Sequence, residues 1–186
     1  MTRASSLALL CALSLGPATA CVTTRRVASS APSEPLAPPS QDPVSLVLQT
    51  WSGEHIDVAD HRGKAVLVFA FTTDNLACQA MIRNLERVAR RHPESLAVIA
   101  VAGDTGDALT LRTALDAYRT VTGLDRVIVT VASDEVRNGA SALGLVEHVP
   151  TLFFLNRAGI IARRLEALLS EPQIETLIAP ALPPGR

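Results

Sequence analysis

The sequence predicts an α/β domain with a central mixed β-sheet flanked by helices and an N-terminal β-hairpin. Short apolar runs of strand length alternate with segments of helical periodicity, which is typical of parallel strands joined by helices. The chain then closes with a strand pair and a helix, which adds antiparallel strands to the sheet. Apolar residues make up 48% of the chain, enough to fill one packed core.

The elements are justified in chain order. Residues 44–49 and 54–58 are β-rich and flank a turn at Trp51-Ser52-Gly53, so they predict the hairpin. Residues 65–71 and 96–102 are continuous apolar runs, as in strands covered on both faces. The other predicted elements are a helix from Cys78 to Ala89 closed by Pro93, a helix over 107–121, a strand over 126–132, a helix over 134–143, strands over 151–155 and 160–165, and a helix over 170–178.

Capping residues mark several of these helix ends. Asp107 precedes its helix in the position of an N-cap, and Gly123 follows the same helix where a left-handed residue is favoured. Ser170 and Gln173 have the spacing of a capping box at the last helix. These residues therefore predict helix boundaries rather than binding sites.

The N-terminus has the pattern of an export signal. Arg3 precedes an apolar run over 7–15 and small residues over 16–20, and the run is too short for a permanent membrane span. Cys21 follows directly, and small residues before a cysteine resemble the bacterial lipobox. That resemblance implies cleavage before Cys21 and its diacylation, which would anchor the protein to a membrane. The alternative is an ordinary secretory signal that leaves Cys21 free.

The remaining domain boundaries follow from composition. Residues 21–43 are rich in Pro, Ser and Ala with few large apolar side chains, so they predict a disordered tether. The folded domain is expected over 44–180, followed by a tail over 181–186. We expect this domain to lie in the bacterial cell envelope, on the periplasmic or extracytoplasmic side.

Charge and cysteine content narrow the function classes. The net charge is −1, and 16 Arg accompany a single Lys, Lys64, so nothing indicates a polybasic nucleic-acid binder. Cys11 falls in the signal and Cys21 at its end, which leaves Cys78 alone in the folded domain. An internal disulfide in that domain is therefore excluded.

Three features together resemble the thioredoxin superfamily, particularly its exported, membrane-tethered TlpA/ResA branch. Residues 60–68 match the branch's "RGK-VLV" approach to the central strand, and that strand runs into a Thr-rich turn and a helix containing Cys78. Val149-Pro150-Thr151 before an apolar strand looks like the family's cis-proline loop. The resemblance spans residues 44–180 and implies a thioredoxin-like sandwich. It also implies a binding groove formed by Asp74 and the loop around Pro150.

The chemistry of that family needs a Cys-x-x-Cys motif at the helix start, where backbone amides stabilise the first thiolate. Here the quartet is Asn75-Leu76-Ala77-Cys78, so Asn75 occupies the nucleophile's position and Cys78 the resolving position. Asp74 and Asn75 are both good N-cap residues. Cys78 lies on the helix's apolar stripe three residues before Met81, which predicts a buried thiol with a raised pKa. The motif is therefore degenerate, and a non-catalytic member is expected; whether the protein is an enzyme is left open.

Two alternatives keep a chemical role for Cys78. The segment Phe71 to Cys78 is similar to the Sco copper-chaperone pattern, with Asp74 in the first cysteine position and His148 near the family's histidine. That resemblance implies a copper site made of Asp74, Cys78 and His148; otherwise no cofactor is expected. The other alternative is a single-cysteine redox enzyme or peroxidase. In each case the expected partners are an exported protein or peptide with a thiol or disulfide, and the membrane through Cys21.

Overall fold

The computed structural model describes residues 42–183. The predicted signal over 1–20, the lipidation site Cys21, nearly all of the tether and the last three residues of the tail lie outside the described residues, so these domain boundaries stay predictions. None of the helices within 42–183 has the length and apolar character needed to cross a bilayer.

The described chain forms seven strands, four α-helices and two short 3₁₀ helices. The strands are β1 (Val47–Thr50), β2 (His55–Asp57), β3 (Ala65–Phe71), β4 (Leu96–Ala102), β5 (Val127–Val131), β6 (Thr151–Leu155) and β7 (Ile161–Leu165). The helices are α1 (Leu76–Arg91), α2 (Ala108–Thr122), α3 (Asp134–Arg137) and α4 (Glu171–Ile178), with 3₁₀ helices at Val58–His61 and Ala179–Ala181.

All seven strands belong to one mixed sheet in the order β2-β1-β5-β4-β3-β6-β7. Strands β3, β4 and β5 are parallel, because α1 and α2 return the chain to the same edge each time. Strand β6 runs antiparallel to β3, and the hairpins β1–β2 and β6–β7 complete the two sides. The predicted mixed sheet with an N-terminal hairpin is confirmed.

The sheet has a core on each face. Alternate residues of β3 point to opposite sides, so Leu67 and Phe69 face one core while Val66 and Val68 face the other. The first core cluster joins the sheet to α1, α2 and α4, and it includes Phe69, Phe71, Met81, Ile82, Leu85, Leu115 and Leu152. The second core cluster includes Leu48, Val58, Ile99, Val136, Leu143, Phe153 and Leu155. Aliphatic side chains with few aromatics fill both, as the composition predicts.

Several predicted elements differ from the observed ones by a few residues, and two of these differences have a visible cause. The helix predicted over 134–143 ends at Arg137, because Gly139 takes a left-handed conformation (φ +72°) that an α-helix does not accommodate. Strand β1 begins at Val47 rather than residue 44. The Val44 amide donates to the carbonyl of Gly159 (2.8 Å), so this buried segment bonds to the β6–β7 turn instead of a ladder.

A buried carboxylate joins α1 to β5. Glu86 is 4% exposed and accepts from Arg90 Nε (2.7 Å) and from the amides of Arg126 and Val127 (both 3.0 Å). Burial favours the neutral acid, but these hydrogen bonds outweigh it and hold the pKa of Glu86 below its usual value. Glu86 therefore acts as an ionised acceptor for the first amides of β5.

Ion pairs also join the end of α1 to α4. Arg91 pairs with Glu171 (2.9 Å) and with Glu175 (2.8 Å), and His92 lies 2.8 Å from Glu175. Arg87 also pairs with Glu171. These basic side chains of α1 and of its C-cap therefore bind the carboxylates of a neighbouring helix.

Candidate functional site

The start of α1 is a capped helix end. Strand β3 stops at Phe71, and Asn75 has extended backbone angles immediately before the first helical residue. Its Oδ1 accepts from the amides of Ala77 (2.9 Å) and Cys78 (3.1 Å), so two of the helix's free N–H groups are satisfied. The predicted N-cap at Asn75 is confirmed. Asp74 is exposed and lies outside the helix, so it does not share a helix face with Cys78.

Cys78 lies beneath this helix end, inside the first core cluster. It is a free thiol with an exposed fraction of 0%. Burial raises its pKa above the ordinary thiol value, a hydrogen bond from the Thr72 backbone opposes the shift, and the carboxylates of Asp104 and Asp74 add to it. The thiol is therefore protonated at neutral pH and out of reach of solvent, as its position on the apolar stripe predicted.

Asp104 fixes the loop that leads into α1. Its carboxylate accepts from the Thr73 amide (3.1 and 3.2 Å) and from Thr73 Oγ1 (2.6 Å), across 31 positions of sequence. Gln79 completes the arrangement by donating from Nε2 to the Thr73 carbonyl (3.2 Å). All polar groups of Thr73 thus have partners, and the loop is held from both sides.

The role of Asp104 is not apparent from local sequence patterns. In the same loop, the predicted N-cap at Asp107 is confirmed, because its Oδ1 accepts from the amides of Leu109 and Thr110 (3.1 and 3.0 Å). The contact between Asp104 and Thr73 could have been predicted from their positions, because each lies two residues after the end of its strand, β4 or β3. The carboxyl ends of neighbouring parallel strands meet at one edge of a sheet.

Tyr118 of α2 is a second polar group buried near Cys78. Its ring stacks on Phe71 with 5.4 Å between centroids, and the residue is 8% exposed. The hydroxyl is buried and has no hydrogen-bond partner among residues 42–183. Burial raises the pKa of Tyr118, and the nearby Cys78 raises it further. Both groups are therefore held neutral.

The loop before β6 contains the expected cis peptide bond between Val149 and Pro150. Both residues are half-buried, and Val149 packs against the first core cluster that contains Cys78. Thr151 is buried, and its Oγ1 donates to the carbonyl of His148 (2.5 Å). The structure thus places Val149 against the same core cluster as Cys78, which lies near the start of α1.

The structure does not gather the predicted copper ligands into one site. Cys78 is fully buried, whereas Asp74 and His148 are exposed. Within residues 42–183, no three His, Cys, Asp or Glu side chains lie close enough together to hold a metal ion. The copper alternative would therefore require Cys78 to move out of the core.

Comparison with known proteins gives the family context. Residues 40–164 match the AhpC/TSA family. No curated protein sequence matches the chain.

The fold is similar to that of solved thiol-disulfide oxidoreductases. A thiol:disulfide interchange protein of the thioredoxin family from Chlorobium tepidum TLS has a TM-score of 0.66 and 21% identity, covering 79% of this chain and 99% of that one. A secreted disulfide oxidoreductase from Mycobacterium tuberculosis gives 0.60 at 19% identity (73% and 95% covered), and StoA from Bacillus subtilis gives 0.57 at 16% (74% and 98%). At these identities the likeness establishes a thioredoxin-like fold.

Proposed function

Because the chain belongs to the AhpC/TSA family, we propose that it is an exported thioredoxin-fold lipoprotein of the TlpA/ResA type that has lost dithiol catalysis. Lipid on Cys21 holds it at a membrane of the bacterial envelope, and residues 21–43 tether the domain on the periplasmic or extracytoplasmic side. Secreted proteins among the structural neighbours support this location. Mass spectrometry of the N-terminal peptide tests the anchor, with Cys21→Ala as the unlipidated control.

The state of Cys78 carries the proposal. Disulfide exchange needs an accessible thiolate, and the position that would supply it holds Asn75, whose side chain already occupies the helix amides. The remaining thiol is fully buried and has a raised pKa. These observations support a protein that no longer exchanges disulfides.

We propose that the protein instead binds an exported protein or peptide in the groove beside Pro150. Val149 and Pro150 are half-buried, so part of each faces solvent. Leu76, the first residue of α1, is 78% exposed and adds an apolar side chain next to Asn75. We propose that the partner contacts Leu76 together with the Val149–Pro150 loop.

Thiol chemistry is tested on the domain without its lipid. Alkylation of Cys78 is followed against pH, with Cys78→Ser as the blank, and reduction of insulin disulfides is measured in parallel. We expect alkylation only at strongly alkaline pH, because burial raises the pKa of the Cys78 thiol, and we expect no insulin reduction. A thiol that titrates near pH 7, or insulin reduction that depends on Cys78, would contradict the loss of catalysis and favour a single-cysteine redox enzyme or peroxidase.

Binding is tested with an unfolded, reduced and carboxymethylated polypeptide as the probe. Leu76→Ser should weaken binding, whereas Val121→Ser, which alters an equally exposed apolar residue at the far end of α2, should not. Absence of binding by the unaltered domain, or equal effects of the two substitutions, would refute the proposed groove.

The copper alternative has a separate test. It predicts Cu(I) uptake that is lost in both Cys78→Ala and His148→Ala, because soft ligands such as thiolate select Cu(I). Uptake that neither substitution alters would remove it.

A further inference from the structure

The segment over residues 138–150 joins α3 to β6 without forming a helix or strand, and it ends in the Val149–Pro150 loop. The side chain of Leu143 buries the middle of the segment in the second core cluster. Leu145 is 51% exposed and lies between this buried residue and the loop. Val146 packs against the same cluster, so Leu145 is the exposed residue between two positions that the core holds.

Arg164 on β7 holds the backbone at that point. Its Nη2 donates to the Leu145 carbonyl (2.9 Å) and also contacts Glu166 (2.9 Å), while its guanidinium lies over the Phe153 ring, 5.4 Å from the centroid. Arg164 and Phe153 are paired across the β6–β7 ladder, so the sheet sets where the guanidinium lies. Three contacts of one planar group leave it little freedom to move.

The burial of Arg164 is unusual for an edge-strand arginine. Its side chain is 18% exposed, and its Nε is buried without a hydrogen-bond partner among residues 42–183. An unpaired buried donor is unfavourable for stability. The guanidinium thus lies over Phe153 and reaches Leu145, while its Nε makes no hydrogen bond among the described residues.

Leu145 also lies against the backbone of Gly139. Gly139 has φ +72°, and a Cβ there would lie 2.9 Å from Leu145 Cβ, closer than such atoms approach. The side chain of Leu145 therefore packs directly on the Gly139 backbone while its carbonyl is held by Arg164.

We infer that Arg164 is a positioning residue for the groove beside Pro150: by holding Leu145 it sets the conformation of residues 138–150 on which partner binding depends. The expected effect on partner binding rests on the proposed function. The expected effect on the conformation of residues 138–150 does not. Arg164 acts through the Leu145 backbone, without touching the partner.

The test compares Arg164→Gln with Arg163→Gln, its exposed neighbour on the same strand. Hydrogen exchange is measured by mass spectrometry, and affinity is measured for the reduced, carboxymethylated polypeptide. We expect Arg164→Gln to speed exchange of the Leu143 and Gly144 amides, which donate to Ser141, about tenfold and to weaken probe binding by a similar factor, because a hydrogen bond from a charged group is lost. Exchange in β3 and β4 should be unchanged. Arg163→Gln should alter neither quantity.

Partial rescue separates positioning from a general loss of stability. Arg164→Lys keeps a cation that can donate to Leu145 but loses the planar group over Phe153, so it should restore exchange protection and probe affinity together, each in part. If Arg164→Gln unfolds the domain, Arg164→Lys decides, and it should speed exchange of the same amides to a smaller extent.

Unchanged exchange of the Leu143 and Gly144 amides in Arg164→Gln or, where that variant unfolds, in Arg164→Lys overturns the inference. A domain whose segment loosens as expected but whose unaltered form never binds the probe keeps the positioning role and refutes the proposed function instead. The two failures are thus distinguished by separate measurements.

Discussion

Asn75→Cys tests most directly whether the start of α1 would stabilise a thiolate. It places a thiol where Asn75 Oδ1 now accepts from the amides of Ala77 and Cys78, at 2.9 and 3.1 Å. Those amides, together with the roughly half positive charge of a helix N-terminus, favour a thiolate. We therefore expect the new thiol to have a pKa near 7, within the range of about 3.5 to 7.5 seen at such positions and below the free value of about 8.5.

The same substitution has a calculable effect on stability. Losing the side-chain cap costs about 1 kcal/mol, which lowers the melting temperature by roughly 3 °C for a domain of this size. A thiol whose pKa is lowered in the folded state stabilises it fully above the unfolded pKa, and this contribution is lost as pH falls through the folded pKa. A difference of about 1.5 units is worth about 2 kcal/mol, so the variant should regain the lost stability between about pH 7 and pH 9.

The assay is the pH dependence of alkylation and of unfolding, measured with Cys78→Ser present so that one thiol reports. Asn75→Ser is the control, since it keeps a capping oxygen and adds no thiol. With Cys78 retained, the variant should also gain insulin reduction. A new thiol that titrates at or above about 8.5, with stability that does not rise with pH, would refute the claim that the helix end still favours a thiolate.

Three further substitutions test the buried polar groups. Glu86→Gln should lower the free energy of unfolding by about 1.5–3 kcal/mol at neutral pH, as measured by urea titration. A lowered carboxyl pKa stabilises the fold above about pH 4.3 and this contribution is lost in acid, so the difference from the unaltered domain should shrink below pH 4. Glu94→Gln, which alters an exposed carboxylate, should show neither effect. Tyr118→Phe removes a buried hydroxyl without a partner and should raise stability by about 1 kcal/mol; a loss on calorimetry would mean that the hydroxyl is hydrogen-bonded. Asp104→Asn removes a carboxylate that raises the pKa of Cys78, so alkylation at strongly alkaline pH should become faster; an unchanged rate would contradict the coupling.

Much of the site could be predicted because its determinants are local. The N-cap at Asn75 follows from residue type and position before an apolar stripe, and the burial of Cys78 follows from the same periodicity. The resemblance around Pro150 predicted the cis-proline loop in the same way. Capping, periodicity and short motifs involve residues within one or two helical turns, so they can be seen in the sequence.

The contacts made by Asp104 and Arg164 could not be predicted in this way. Asp104 reaches Thr73 across 31 positions, and Arg164 reaches Leu145 across 19, so each depends on which strands are neighbours and on their register. A one-residue change of register would turn Arg164 to the opposite face of β7.

The sequence by itself determined the order of the elements, the capped start of α1 and the lack of a cysteine at that position. Only the tertiary structure decided that Cys78 is fully enclosed, that Asp104 holds the loop above it, and that Arg164 holds the segment leading to Pro150. The division has a physical reason. Helix caps and periodic faces are set by interactions along the chain, whereas burial and long-range hydrogen bonds exist only after the sheet has brought distant residues together.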